Sequence, residues 1–541
     1  MWQQDYTPIA HSLSLSCLLA ALPIFTLFFL LGVRRSPAWQ ASLASLVSAA
    51  LAAVFGYHMP VATMLSSIAY GAAFGLFPIG WVVFTAILLF RITEFTGKFE
   101  IVKHSIGSFS NDRRLQALLI AFAFGAFIEG AAGFGTPVAV ATAMLAGLGF
   151  SPFFAASVCL LANTAPVAFG SIGTPILTLA TTTGLPLDQL SAAIGRICAP
   201  VSLIVPAYLV WVMGGRRALR GVLPAALVAG ATFAAGQFAV SNFVGPQLTD
   251  ILSSLAAIAA LVALSRFWKP RDSFVLPGES AAHVAPTRYS LREYLLAWSP
   301  YALLVIFVLL WGFDLVKTRL DGLSVSFPWP GLHHLVERLP PVVAAPSAYP
   351  AIYKWNWLSA PGTACLFAAI LSALLLRMSP AEFGKALRST ARQLVLPELT
   401  IAAVLALAFL MNYSGATATL GLAFASTGVL FPFFSAFLGW LGVFLTGSDT
   451  SANALFGSLQ VVTATRLGLS PVLMAAANSS GGVMGKMISL QSIAIAATAA
   501  GLKRDDEARL FRFVLRHSIT LAAAIAAITC IYAYVLPQAV P

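Results

Sequence analysis

Fifteen apolar stretches, the first at 12–33 and the last at 517–536, run along the chain with short clusters of charge or turn residues between them. One bilayer crossing takes roughly 20 apolar residues. The pattern therefore predicts an all-α polytopic membrane protein with about 12–14 transmembrane helices. Four stretches, 115–149, 152–183, 416–446 and 470–501, are too long or too often interrupted by glycine, proline and polar residues to be single straight helices. They predict broken helices or re-entrant hairpins. Lipid cannot satisfy freed peptide groups, so irregular backbone at membrane depth has to line a cavity or be buried in protein.

Basic residues cluster at Arg34 and Arg35, between Lys98 and Arg114, at Arg216, Arg217 and Arg220, between Arg266 and Arg292, between Arg377 and Arg392, and between Lys503 and Arg516. Short cytoplasmic loops carry an excess of Lys and Arg, so these clusters mark the cytoplasmic face and both termini are expected outside. The residues before His11 carry no Lys or Arg, which makes 12–33 a retained first span and not a cleaved signal. The same punctuation divides the chain into N-terminal membrane helices (1–114), a first transport repeat (115–213), connecting membrane helices (214–391) with loops at 268–294 and 313–355, a second transport repeat (392–503) and a C-terminal membrane helix (504–541). The proline-rich 313–355 loop reads either as a layer on the outer surface or as a plain spacer.

Two of the interrupted regions resemble each other. Asn163-Thr164-Ala165-Pro166 and Asp449-Thr450-Ser451-Ala452-Asn453 follow similar Pro-Phe-Phe segments at 152–154 and 432–434, and 286 residues separate Asn163 from Asp449, which points to an internal, pseudo-symmetric repeat. Helix-breaking residues concentrate at 129–137, 163–175, 446–451 and 478–486. Paired interrupted segments in two halves are the sequence mark of a transporter's midplane site, with half-helix N-termini aimed at an anion. The candidate substrate-binding residues are therefore Gly130, Gly133, Gly135, Asn163, Thr164, Thr450, Ser451, Asn453, Asn478, Gly482 and Lys486.

Charge is scarce, at 9% of residues against about 25% in soluble domains. Ionisable residues within the breaks are informative for that reason, since each costs at least about 2.5–3.5 kcal/mol at a helix centre. Glu129 and Asp449 are candidate proton carriers, because taking a carboxylate out of water favours its protonated form. The plainer alternative is that one of them caps a half-helix or pairs with Lys486. Arg196, inside 189–213, is a secondary candidate, and Glu398, just after Pro397, reads as a helix-start acid. The net charge of +12 reports topology and implies no nucleic acid. The five cysteines form no CxxC motif and no cluster with histidine, so no metal site is expected. No cofactor is expected either, with a proton as the coupling ion. The phosphate-loop pattern at Gly485 and Lys486 is incomplete, and HExxH and GxSxG are absent, which ranks an intramembrane enzyme below a secondary transporter.

The segments Trp2-Gln3-Gln4, GAFIEGAAGFGTPVA at 125–139, LANTAPVAFGSIGTPIL at 161–177, GWLGVFLTGSDTSANALFG at 439–457 and NSSGGVMGKMISLQSIAIA at 478–496 resemble the L-lactate permease family. The likeness extends from the amino terminus to the helix after Arg516. It implies a multi-pass secondary active transporter of a bacterial cytoplasmic membrane that imports L-lactate, with D-lactate and glycolate as further substrates, by proton symport. It also places the chain near the ion-transporter superfamily, whose dicarboxylate members carry Ser-Asn-Thr hairpin tips in two inverted repeats. Asn163-Thr164 and Asp449-Thr450 resemble those tips, with Ala162 in place of serine in the first and Asp449 in place of asparagine in the second. These departures weaken the case for sodium and favour a proton at Asp449. The positive-inside count puts Leu185 and Leu469 on one face.

The expected mechanism docks a monocarboxylate between the two sets of breaks. N–H groups near Gly130, Gly133 and Gly135, and Thr164, Thr450, Ser451 or Lys486, hold its carboxylate. Protonation of Glu129 or Asp449 makes the loaded site electroneutral, which avoids roughly 2.3 kcal/mol per 100 mV of opposing potential. The alternative is a transporter of another small mono- or dicarboxylate, sodium-coupled included; Arg196 keeps two carboxylates open. The expected partners are the small carboxylate and the lipid bilayer, with a homo-oligomer left open.

Overall fold

The computed structural model describes residues 1–541 other than 108, 109, 111, 134, 273 and 275–288. Among the described residues, 11 helices are long and apolar enough to cross a membrane, or up to 12 if the bent pair Pro152–Ala162 and Val167–Thr183 is one span. The polytopic helical class expected from the apolar pattern is what the chain adopts. One of these helices is long enough for more than one crossing. Leu187–Phe243 has 57 residues, about 85 Å of helix at 1.5 Å per residue, against a hydrocarbon core of roughly 30 Å. Gly214 and Gly215 break its dihedrals, next to the basic cluster at Arg216, Arg217 and Arg220.

Burial separates scaffold from core. Leu13–Val33 and Leu291–Gly312 bury 28% of their most apolar windows in protein, whereas Arg113–Ala131 buries 100%. The last helix has no lipid-facing side and can only be an interior element. It turns at Ala132, Gly133 and Gly135 and returns as Thr136–Gly147. The feet of this first hairpin meet, with Arg113 Nη1 donating to Leu148 O at 2.5 Å and the guanidinium resting on the Phe150 ring. Gly133 and Gly135 have φ of +60° and +83°, left-handed values that glycine adopts without the steric cost a side chain carries. Pro152–Ala162 follows, bends by 65° and continues beyond a left-handed run at Ser171, Ile172 and Gly173 to Thr183.

A second helix–turn–helix is built from Phe431–Thr446 and Asp449–Leu467, turning at Gly447 and Ser448. Gln460 Nε2 on the returning arm donates to Ser435 O on the first at 3.1 Å, so the arms lie side by side. Pro471–Lys486 follows, breaks at Met487, Ile488 and Ser489, and resumes as Leu490–Ala500. The feet of the first hairpin sit on the basic face, where Arg114 bonds Asp112 and Asp272. Those of the second sit on the other face, where Arg466 lines a cavity with Asp5 and Tyr6 and Trp2–Gln3 pairs with Val336–Arg338.

Three sequence expectations need correction. Asn163 and Asp449 do not occupy equivalent places: Asn163 opens the break of the first bent span, whereas Asp449 starts the returning arm of the second hairpin. Leu185 and Leu469 follow a bent span and a hairpin respectively, so their sharing a face does not conflict with hairpins entering from opposite faces. Secondly, 478–486 is continuous helix and not a break. Its glycines serve close packing: a Cβ on Gly481 would overlap the Ala436 carbonyl, and one on Gly485 would lie 3.0 Å from Phe444 N. Small residues let membrane helices touch backbone to backbone. Thirdly, Glu398 is no helix-start acid. Pro380–Ser414 runs through Pro397, and the Glu398 carboxyl lies against Gly80 beside the interrupted segment Gly75–Gly80.

The 313–355 loop is a folded layer and not a spacer. Val325–Pro328 pairs with Ile352–Trp355, Trp329 Nε1 donates to Ser66 O at 3.1 Å and Tyr70 donates to Ile352 O at 2.9 Å, which ties the layer to Val61–Phe95. Most of the 268–294 loop lies outside the described residues, but its start has a measurable role. Arg114, fully buried, donates to both Asp272 carboxylate oxygens at 3.0 Å. The Arg114 hydrogen bonds hold the Asp272 carboxyl below its ordinary range. A depressed folded value means that the pair stabilises above the ordinary carboxylate range and is lost as pH falls through the lower folded value. Asp272→Asn is therefore expected to lower Tm modestly at neutral pH. Melts at successively lower pH should show the gap to the parent protein closing in acid.

Candidate substrate site

One cavity reaches from the basic face into the core. Its volume is ≈ 980 Å³; Arg35, Arg512 and Glu507 stand among its walls, and Gly447, Ser448, Ser451 and Gln491 mark where it meets the helix breaks. At that end two helices begin. Ser448 caps Asp449–Leu467, its hydroxyl accepting from Ser451 N at 3.3 Å. Ser489 caps Leu490–Ala500, accepting from Ser492 N at 3.2 Å. Each helix start carries unpaired N–H groups and about half a positive charge, so two such ends converging on one cavity favour an anion.

Lys486 stands behind this end. It is 6% exposed, and its Nζ donates to Gly447 O at 2.5 Å, capping Phe431–Thr446. It faces Glu129 and Asp449 electrostatically. Among the described residues no ion pair within 4.0 Å joins it to either acid. The buried-pair reading is thus replaced by a lysine held on a carbonyl between two acids.

Asp449, 3% exposed, accepts at Oδ2 from Ser479 Oγ at 2.6 Å and from Asn453 Nδ2 at 3.2 Å. Its other oxygen has no hydrogen bond and fits against Gly482, where any side chain would collide with it. Glu129 is 4% exposed. Glycine makes room for it in the same way, since a Cβ on Gly170 would lie 2.6 Å from Oε1. Asn163 lies beside Glu129, with neither amide atom in a well-formed hydrogen bond.

The remaining candidates divide by surroundings. Ser451 alone among the proposed substrate-binding residues lines the cavity. Asn453 and Asn478 join the second hairpin to the second bent span, Asn478 Nδ2 donating to Asn453 Oδ1 at 2.9 Å, and Asn453 Nδ2 also reaches Pro175 O at 3.2 Å. Thr164, in the turn just past Pro152–Ala162, donates back to Leu161 O of that helix at 2.7 Å. Thr450 is buried beside Ser451. Gly133 faces Ser171, whose hydroxyl donates to Ala132 O at 2.9 Å; Gly135 faces Ile495; and Gly130 abuts Asp250 and Ile251. Arg196 is not brought to the cluster. Its guanidinium donates to Asn242 Oδ1 at 2.8 Å and to Ala539 O at 2.6 Å.

Sequence reasoning missed Gln491, Ser479 and Asp250. Asp250 is 1% exposed and interacts with Glu129. Its only sequence signal is an acid three residues inside the apolar stretch beginning at 247.

Comparison with known proteins decides what this arrangement belongs to. The L-lactate permease family profile matches residues 16–536. The chain belongs to the L-lactate permease family. It is 45% identical to an L-lactate permease of Bacillus subtilis over 100% of both chains, and 44% identical to one of Escherichia coli K12 over 100% of both. A glycolate permease of Escherichia coli K12 is 44% identical over 99% of this chain and 98% of its own. Among solved structures, MtrF of Neisseria gonorrhoeae, presented as illuminating a class of antimetabolite efflux pumps, matches with TM-score 0.50 and 14% identity over 94% of this chain and 97% of that one. At that identity the likeness is one of fold alone. The protein is a multi-pass membrane transporter and not an enzyme, with lactate and glycolate permeases as its relatives.

Proposed function

We propose that the protein imports L-lactate, with glycolate and D-lactate as further substrates, by proton symport across a bacterial cytoplasmic membrane. The relatives' names support the substrate class. The observation that carries the chemistry is the cavity ending at two helix starts in front of Lys486. A cavity of ≈ 980 Å³ is too large to grip a three-carbon acid, so it is the path from the cytoplasm, and the carboxylate binds at its end, against Ser448, Ser451 and Gln491. The positive potential of Lys486 reaches it through the Gly447 peptide.

Charge supports the coupling. Three acids, Glu129, Asp250 and Asp449, share the core with one lysine, all at 6% exposure or less. A substrate anion adds negative charge to a region that already holds an excess of acids, where an uncompensated charge costs several kcal/mol. A proton taken up on one acid offsets it, and the loaded site then crosses without opposing the membrane potential. The two hairpin-plus-bent-span units, with feet on opposite faces, are read as an inverted pair that carries the site between faces. Arg196 is occupied elsewhere, so nothing favours a second carboxylate on the substrate.

Labelled lactate uptake into proteoliposomes with an imposed pH gradient tests this reading. The expected result is accumulation on the alkaline side, competed by glycolate and collapsed by a protonophore. Accumulation that ignores the protonophore would remove proton symport.

A further inference from the structure

The structure contains a buried acid pair outside the substrate end of the cavity. Asp250 lies in the first turn of Thr249–Phe267, and among the described residues neither of its carboxylate oxygens has a hydrogen-bond partner. It enjoys the potential of a helix start, yet no N–H reaches it. Gly130 is the reason it stands next to Glu129: a Cβ there would lie 2.8 Å from Asp250 Cβ and 3.1 Å from Ile251 N. The two helices touch at the glycine, which sets Asp250 against the residue that follows Glu129, within electrostatic reach of that acid. Glu129 Oε2 is likewise without a hydrogen bond, and beside it Asn163 offers an amide, also unpaired and 4% exposed, that can donate or accept.

Asp449 differs in kind. Two donors, Ser479 and Asn453, point at one of its oxygens, and hydrogen bonds of that type favour a carboxylate. Its place at the cap of the second hairpin suits a fixed charge that organises Lys486. Two interacting carboxyls in a region of low dielectric constant cannot both be ionised cheaply, and holding one proton between them resolves the conflict.

We infer that Glu129 and Asp250 together form the site of the coupled proton, one proton bound per substrate anion, and that Asp449 is not that site. The inference rests on the symport reading above. Groups facing the pair are Asn163 and Lys486 around Glu129 and the Cys198 thiol of Leu187–Phe243 on the Asp250 side; the packed segment Ala117–Phe124 is wholly apolar. The acid pair, when ionised, accepts one proton from the side where substrate binds and returns it to the other side after the anion leaves, so charge and atoms balance over the cycle.

The test uses the full chain in proteoliposomes and compares accumulation driven by one pH unit with lactate–lactate exchange, which needs no net proton movement. One pH unit is worth about 1.36 kcal/mol, an accumulation of about tenfold for one proton. Asp250→Asn and Glu129→Gln are expected to lose that accumulation far more than they lose exchange, whereas Asp449→Asn lowers both together. Asp250→Asn accumulating lactate like the parent protein overturns the inference, as does a folded Asp250→Asn that loses exchange in step with accumulation. Should Asp250→Asn fail to fold, Asp250→Glu keeps the carboxyl: a shifted pH profile of accumulation supports the site, and an unshifted one overturns it. If the parent protein itself transports lactate without responding to pH, the symport reading fails, a result distinct from any of these.

Discussion

Lys486→Met is expected to cut lactate transport more deeply than any other single change in the core. The ammonium does two things at once. It closes the Gly447 turn by donating to its carbonyl at 2.5 Å, and among the described residues it is the single basic group facing Glu129 and Asp449. Methionine keeps the length and the apolar stem but removes both roles, leaving a carbonyl unpaired and the acids without a counter-charge. A buried hydrogen bond made by a charged group contributes about 1.5–3 kcal/mol, and every 1.4 kcal/mol is about tenfold in affinity. Uptake at low lactate should therefore fall at least roughly tenfold, with exchange and accumulation falling together. Folded yield by fluorescence gel filtration separates a lost site from a lost fold. A folded Lys486→Met protein that binds and moves lactate normally would mean the substrate carboxylate is held by helix ends alone.

The second large effect is expected from Gly481→Ala. Phe431–Thr446 and Pro471–Lys486 touch through their backbones, and an added Cβ would lie 2.7 Å from Ala436 Cα and overlap its carbonyl. Backbone on both sides leaves no flexible side chain to give way, so the helices must part. Overpacking of this kind costs about 1–3 kcal/mol. Moving Pro471–Lys486 also stretches the 2.6 Å bond by which Ser479, two residues from Gly481, holds Asp449 on the neighbouring helix Asp449–Leu467. A lower Tm in detergent and slower transport are both expected. Gly384→Ala is the control, since nothing lies within 4 Å of its added Cβ; equal losses at Gly384 and Gly481 would show that the contact is not what matters.

Much of the core was legible residue by residue. Glu129, Asp449 and Lys486 stood out because ionisable groups inside apolar stretches are expensive and have to meet one another or a cavity, and the fold brings the three together. Gly133, Gly135 and the 163–173 region were readable as irregular backbone. The 478–486 run misled because glycine has two uses. The same residue that permits a left-handed turn at Gly447 permits helix contact at Gly481, and only a neighbour's position distinguishes them. Asn453 and Asn478 misled similarly: polar side chains in an apolar stretch signal a partner without saying whether it is substrate or another helix, and here they bond each other.

Asp250 shows the opposite failure. Three residues into an apolar stretch it has no local feature beyond its charge, and its meeting with Glu129, 121 positions away in the chain, depends on Gly130 allowing two helices to touch. Arg196 failed for the reverse reason, since its apolar surroundings in sequence did not reveal that Asn242 and the chain end would occupy it.

By itself the sequence determined the membrane class, the basic face, the family and the irregular segments, because hydrophobic transfer, charge bias and glycine or proline chemistry act locally along a chain. Only the tertiary structure decided which breaks are hairpin turns and which are bends, which acids stand together, and where the cavity ends. Those outcomes are set by contacts between helices distant in sequence, and close packing there depends on the partner surface as much as on the residue.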